Sequence, residues 1–180
     1  MASASSITAG SPVALTASMS STSGPLAGPV QLEVQGQDGS WRSRVTGRTG
    51  PTGDVSWSLR PDRAVSLRVT AGAVSSAPVR VTVRQVVTMT VSRAASRSTA
   101  DSSSTAVAVH GAVLPGGRVG VRLEAQSAGR WVTVARTTTN AQGRYVMTRA
   151  LPVRVAVRTV VDPRPGLLAA ESAPMRAARV

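Results

Sequence analysis

The chain has 180 residues, 21 basic and 8 acidic, and a net charge of +13. Every basic residue is arginine, and the sequence holds no cysteine, no phenylalanine, one histidine, one tyrosine and three tryptophans. Those counts exclude disulfides, thiolate nucleophiles and cysteine metal sites, and they leave valine, leucine and alanine to fill any core.

Residues 1–11 are small and polar and read as a flexible lead-in able to supply a short edge strand around Ile7. They lack a basic start and an apolar run, so no export signal is expected in this chain. From residue 12 the pattern changes to period two, with Val13, Leu15 and Ala17 on one strand face. A Ser-, Gly- and Pro-rich loop, 20–29, leads to Val30, Leu32 and Val34, which alternate with Gln31, Glu33 and Gln35. Gly36-Gln37-Asp38-Gly39 supplies turn chemistry, and a strand over 41–46 returns. Val55, Trp57 and Leu59 form the next strand, Val65, Leu67 and Val69 another, and Pro78 opens a last one with Val79, Val81 and Val83. Six or seven short strands at this spacing predict a two-sheet sandwich.

The order then repeats. A strand over 86–91 is followed by a low-complexity loop, 92–104, and by Val107 and Val109. Val119, Val121, Leu123 and Ala125 match the Val30 strand, Leu32-Glu33-Val34-Gln35 returning ninety-one positions on as Leu123-Glu124-Ala125-Gln126. Gly39-Ser40-Trp41 returns ninety positions on as Gly129-Arg130-Trp131. Tyr145 and Met147 take the places of Val55 and Trp57, Val153, Val155 and Val157 stand near the Val65 strand, and Ser172-Ala173-Pro174 echoes Ser76-Ala77-Pro78. The expected domains are therefore 12–84 and 85–180. Only Arg84 and Gln85 separate Val83 from Val86, a junction short enough to predict a stiff, elongated pair. No stretch approaches the roughly 20 apolar residues of a membrane helix.

Gly129, Trp131, Val134, Thr137 to Asn140, Gly143 and Tyr145 together resemble the tandem bacterial immunoglobulin-like modules of exported proteins from high-GC Gram-positive, actinobacterial species. The similarity covers most of 86–180 and, more loosely, 12–83. It implies an all-β chain of two tandem immunoglobulin-like or fibronectin-III-like antiparallel sandwiches, extracellular or at the cell surface, acting as spacer, adhesion stalk or accessory module. No catalytic residue comes with it.

The residues themselves offer little chemistry. His110 is the only histidine and reads as an outward residue at a strand end; the serines cluster in low-complexity loops. Asp38, Asp54, Asp62, Asp101 and Asp162 are isolated from one another, and Gly116, Gly117 and Gly120 precede no lysine, so neither a metal, a phosphate loop nor any other cofactor site is expected. Two features carry functional content. Arg118 with Arg122, and Arg154 with Arg158, are even steps apart on two predicted strands and make a candidate cationic face for an anionic cell-wall polymer. An arginine bias without lysine also fits a GC-rich genome. Nucleic acid is disfavoured, because single-strand binding wants aromatic platforms that are almost missing. The second feature is the tryptophan pair. Each indole reads as a cover over the open end of its core, but the two strands disagree: Trp41 shares a face with Val45, which fits burial, whereas Val132 and Val134 lie on the face opposite Trp131, and a buried Val132 would turn that ring outward for sugar stacking.

The reading that follows is a non-enzymatic structural or adhesive segment of a surface or secreted protein, monomeric and without cofactors. Two alternatives remain open: a virion or tube decoration protein that oligomerises through edge strands, and a carbohydrate-binding accessory module of a secreted enzyme.

Overall fold

The structure, a computed structural model, describes residues 5–94, 104–152 and 154–176. Among these the chain is all β, with no helix. Valine dominates the alternating segments, and its branched Cβ suits a pleated surface better than a helix. The chain divides into two compact units, Met1–Val83 and Arg84–Val180.

In unit 1 the strands are β1 (Ser6–Thr8), β2 (Val13–Ser18), β3 (Ser20–Ser21), β4 (Gly24–Pro25), β5 (Pro29–Gln35), β6 (Trp41–Arg48), β7 (Asp54–Leu59), β8 (Val65–Ala71), β9 (Val74–Ser75) and β10 (Val79–Arg84). One sheet runs in the order β1-β10-β8-β5-β6, and β2 pairs with β7 in a second. Within the lead-in, β1 pairs with β10 and Ile7 is buried. Val13 and Leu15 from one sheet and Val30, Leu32, Leu67 and Val81 from the other are buried, as period-two alternation requires.

Unit 2 contains β11 (Val86–Arg93), β12 (Ser104–Leu114), β13 (Gly120–Ser127), β14 (Arg130–Thr138), β15 (Arg144–Pro152), β16 (Ala156–Val161), β17 (Leu167–Leu168), β18 (Ala170–Glu171) and β19 (Met175–Arg176). Its sheets are β11-β12-β15 and β14-β13-β16-β18, with β19 also on β16. Val107, Val109, Tyr145 and Met147 of the first sheet and Val121, Leu123, Val157 and Val161 of the second form one buried cluster, a sandwich-like arrangement. Most of the 92–104 loop, Val153 and the tail beyond Arg176 lie outside the described residues. The strand expected from Val153 begins only at Ala156, because Arg154 turns the chain with φ +67°. His110 stands in the interior of β12, exposed, rather than at a strand end.

The repeat extends to hydrogen bonds. Thr49 accepts from the Gly28 amide at 2.8 Å and donates to the Leu26 carbonyl at 2.8 Å. Thr139 does the same with the Val119 amide, 2.8 Å, and the Gly117 carbonyl, 2.6 Å. Both threonines are buried, where an unmet amide or carbonyl would cost about 1–3 kcal/mol. The Ser76 hydroxyl accepts from the Val69 amide, and Ser172 accepts from Thr159, each at 3.0 Å.

Tyr145 belongs to unit 2 alone. Its buried hydroxyl donates to the Thr88 carbonyl at 2.8 Å and lies 2.9 Å from the Thr159 hydroxyl, which is free to donate back. Gly111 leaves the space, since a Cβ there would meet both the Thr88 carbonyl and the Tyr145 hydroxyl. Burial raises the phenol above its ordinary value of 10.0, against a smaller lowering by the Thr159 hydrogen bond. The fold thus favours the neutral phenol: the stability it contributes is complete below the unfolded value and is lost as pH rises through the folded one. With no lysine, no cysteine and this single tyrosine, no other side chain titrates between about pH 9 and 12. Unit 2 is expected to lose stability as pH climbs above about 10, with Tyr145→Phe removing that dependence. Alkaline melts and tyrosinate absorbance check it; ionisation of the folded protein at the ordinary tyrosine value would contradict it.

Candidate functional site

The most developed polar arrangement lies on the outer face of the larger sheet in each unit. Glu124 on β13 is the direct cross-strand partner of Arg158 on β16, and the Arg158 Nε bonds Glu124 Oε2 at 2.9 Å. Arg158 Nη1 also meets Glu171 Oε2 at 2.8 Å. The guanidinium carbon lies 4.5 Å from the centroid of the Trp131 ring, one strand further over on β14. In unit 1, Glu33 on β5 and Arg68 on β8 are cross-strand partners joined at 2.7 Å, and Arg68 lies 4.4 Å from the Trp41 ring. Each stack puts a planar cation between a carboxylate and the negative face of an indole, a cation–π contact of about 0.5–2 kcal/mol.

A one-residue bulge in each hairpin places these rings. On β6, Val45 faces Leu32 but Ser43 faces Glu33, so Arg44 is inserted without a partner. On β14, Ala135 faces Leu123 but Thr133 faces Glu124, leaving Val134 as the extra residue. Cross-strand partners share a face, so Trp41 and Ser43 lie outward with Glu33 while Val45 lies on the side of Leu32. The insertion reverses the alternation on which Trp41 and Val45 would share a face. Trp131 is likewise outward, with Thr133 and Glu124. Val132, paired with buried Ala125, is nonetheless 49% exposed, so no buried valine drives the indole out. Both rings are half-buried beneath arginine, and neither covers the end of a core. For sugar stacking at Trp131, one ring face is already taken by Arg158.

The four arginines of the expected cationic face are placed differently from one another. Arg122 on β13 is bound to Asp162 at 2.8 Å, and Arg158 is held by two carboxylates and an indole. Arg118 precedes β13 and Arg154 lies in the turn before β16, so neither completes a pair on one strand. Both are exposed and without an ion-pair partner among the described residues.

Several acids are used locally. Asp54 accepts from the Ser18 hydroxyl at 2.6 Å, and Asp38 accepts from the Ser40 hydroxyl and amide and from Arg42. The Ser18 and Ser40 hydrogen bonds, respectively, hold these two carboxyls below the usual carboxylate range. Among the described residues no three His, Asp or Glu side chains gather; Asp101 lies outside them. The stacks had a signal in the sequence, since Glu33 and Glu124 sit inside the repeated Leu-Glu-x-Gln and Arg68 and Arg158 keep the ninety-residue offset of the tryptophans. Comparison with protein-family models finds none that matches the chain, and comparison with curated proteins finds no match either.

Proposed function

We propose that the chain is a pair of immunoglobulin-like sandwich modules with no catalytic role, serving as a structural or adhesive segment of a cell-surface or secreted protein. One observation carries the reading: the most elaborate polar groups occur twice, and in each unit they satisfy one another. Glu33, Arg68 and Trp41, or Glu124, Arg158 and Trp131, tie three neighbouring strands together across a sheet face. Thr49 and Thr139 seal buried backbone groups in the same way. A substrate site would instead hold polar groups unmatched until the substrate arrives. The likeness of Gly129, Trp131, Gly143 and Tyr145 to actinobacterial surface modules supports the same reading, and Arg118 and Arg154 keep some affinity for anionic wall polymer within reach.

The test is brief trypsin treatment of intact producing cells or their culture supernatant, since arginine is the only trypsin site in a chain without lysine. Peptides ending at exposed arginines such as Arg118 and Arg154 are expected before lysis. A protein protected until the cells are broken would overturn the surface assignment.

A further inference from the structure

The smaller sheet of each unit ends differently where β7, or its counterpart β15, stops. In unit 2, β12 and β15 have 11 and 9 residues, and Ser104 to Ala106 pair with Pro152 to Ala150 beyond the Val107–Arg149 step. Leu151, in that added stretch, is 2% exposed and belongs to the buried cluster. In unit 1 the corresponding strands, β2 and β7, have 6 residues each, and Val13 and Leu59 are their last pair at this end. Ninety positions before Leu151 stands Pro61, outside any strand.

The inner face of the larger sheet in unit 1 is therefore uncovered at this end. Val34 and Leu67 are cross-strand partners and Val65 lies two residues from Leu67, so the three share that face. Val34 is half-buried, whereas Ala125, its counterpart in unit 2, is 6% exposed. The result is a groove of about 900 Å³ lined by Val34, Leu59, Val65 and Leu67, between the β5–β6 turn and the loop 60–64. That volume lies within the roughly 300–1,000 Å³ of small-molecule sites.

Charge surrounds the apolar lining. Arg42, Arg44, Arg60 and Arg63 also line the groove. Arg42 and Arg63 are ion-paired with Asp38 and Asp62. Arg44 and Arg60 are exposed and have no ion-pair partner among the described residues. Arg80 borders the groove too, but it alternates with fully buried Val81 and pairs with Ser66, so its side chain belongs to the outer face. A bare polyanion would leave the valines and leucines uncovered, and a neutral hydrocarbon would leave the two arginines unmatched.

We propose that this groove binds a small amphiphilic anion, an acyl chain of medium length ending in a carboxylate. The chain lies over Val34, Leu59 and Val65, completing the end of the core that Leu151 completes in unit 2, and the carboxylate meets Arg44 or Arg60. This assignment does not depend on where the protein resides.

The probe is decanoate below its micellar range, titrated into the full chain by calorimetry and followed through backbone amide signals. Saturable binding is expected, with shifts centred on Val34, Leu59 and Val65. Butyrate, with the same carboxylate on a shorter chain, is expected to bind at least roughly tenfold more weakly. Decanol, without the charge, should be roughly fivefold weaker, and the double variant Arg44→Ser, Arg60→Ser should lose a similar factor for decanoate. Both side chains are exposed and unpaired, so the variant should melt like the parent. No saturable binding, or shifts confined to unit 2, would overturn the proposal. So would equal binding of decanol or by the double variant, which would make the groove a purely apolar site, and equal binding of butyrate, which would make it a plain cationic patch.

Discussion

Replacing Gly143 with alanine is expected to cost unit 2 about 2–4 kcal/mol, while the same change at Gly129 costs about 1 kcal/mol. Both glycines have nearly the same backbone conformation, φ +80° and +77°. An L side chain in that region costs about 1–2 kcal/mol wherever it occurs. What separates them is space. Around Gly129 a Cβ would meet nothing, whereas at Gly143 it would run into the Val113 carbonyl and lie 3.0 Å from the Gly116 Cα. These obstacles are backbone, so no side-chain rotation relieves them. The Val113 amide also bonds the Gly143 carbonyl at 2.9 Å, and a shift that cleared the clash would break that bond between β12 and the turn. Gly53 meets the Met19 carbonyl in the same way at φ +78°, and Met19 bonds back to Gly53 at 2.8 Å, so Gly53→Ala should cost unit 1 a similar amount. Urea titrations followed through backbone amide signals of each unit separate the two effects. Equal losses at Gly143 and Gly129 would show that strain at φ, and not the close approach, sets the cost.

Arg158→Met should destabilise unit 2 by about 2–4 kcal/mol, although the residue is charged and lies on an outer face. Methionine keeps much of the aliphatic stem but leaves the Glu124 carboxylate, with its side chain 11% exposed, without its cation. A carboxylate so shielded from water loses more than an exposed pair would, since surface pairs contribute about 0–1 kcal/mol. The contact with Trp131 goes as well. Arg118→Met is the comparison: with no partner to abandon, it should stay within about 0.5 kcal/mol. Arg68→Met should repeat the larger effect in unit 1, where Glu33 is the stranded acid. Chemical denaturation of the three variants decides it.

The strands, their alternation and the turn glycines could be read from the sequence because each is a local rule. Val121, Leu123 and Ala125 alternate and are buried; Gly39 and Gly129 follow strand ends and take positive φ. The repeat was legible for the same reason, down to Leu-Glu-x-Gln. Where the reading went astray, the cause was non-local. A bulge is an extra residue with no composition of its own, and Arg44 and Val134 look like any other strand residues, yet each reverses inward and outward for every position beyond it. Counting in twos therefore set Trp41 on the inner face beside Val45, while for Trp131, opposite Val132 and Val134, it left the direction open. Even spacing likewise put Arg154 and Arg158 on one strand, although the backbone at Arg154 is left-handed and ends the regularity. Which carboxylate claims which arginine depends on strands that are neighbours in space, and Glu124 is 34 residues from Arg158. The first strands differ too: β11 pairs with β12, but β1 pairs with β10 and not with β2, a choice of sheet that alternation cannot express.

The central claim is that the outward indoles are seats for arginine within a load-sharing sheet face and not platforms held open for a ligand. A double-mutant cycle on Arg158→Met and Trp131→Leu, measured as unit 2 stability in urea, tests it most directly. The two losses are expected to be non-additive by about 0.5–2 kcal/mol, because either change alone removes the same contact. Additivity within about 0.5 kcal/mol would mean that guanidinium and indole lie near each other without holding anything together, and would contradict the account.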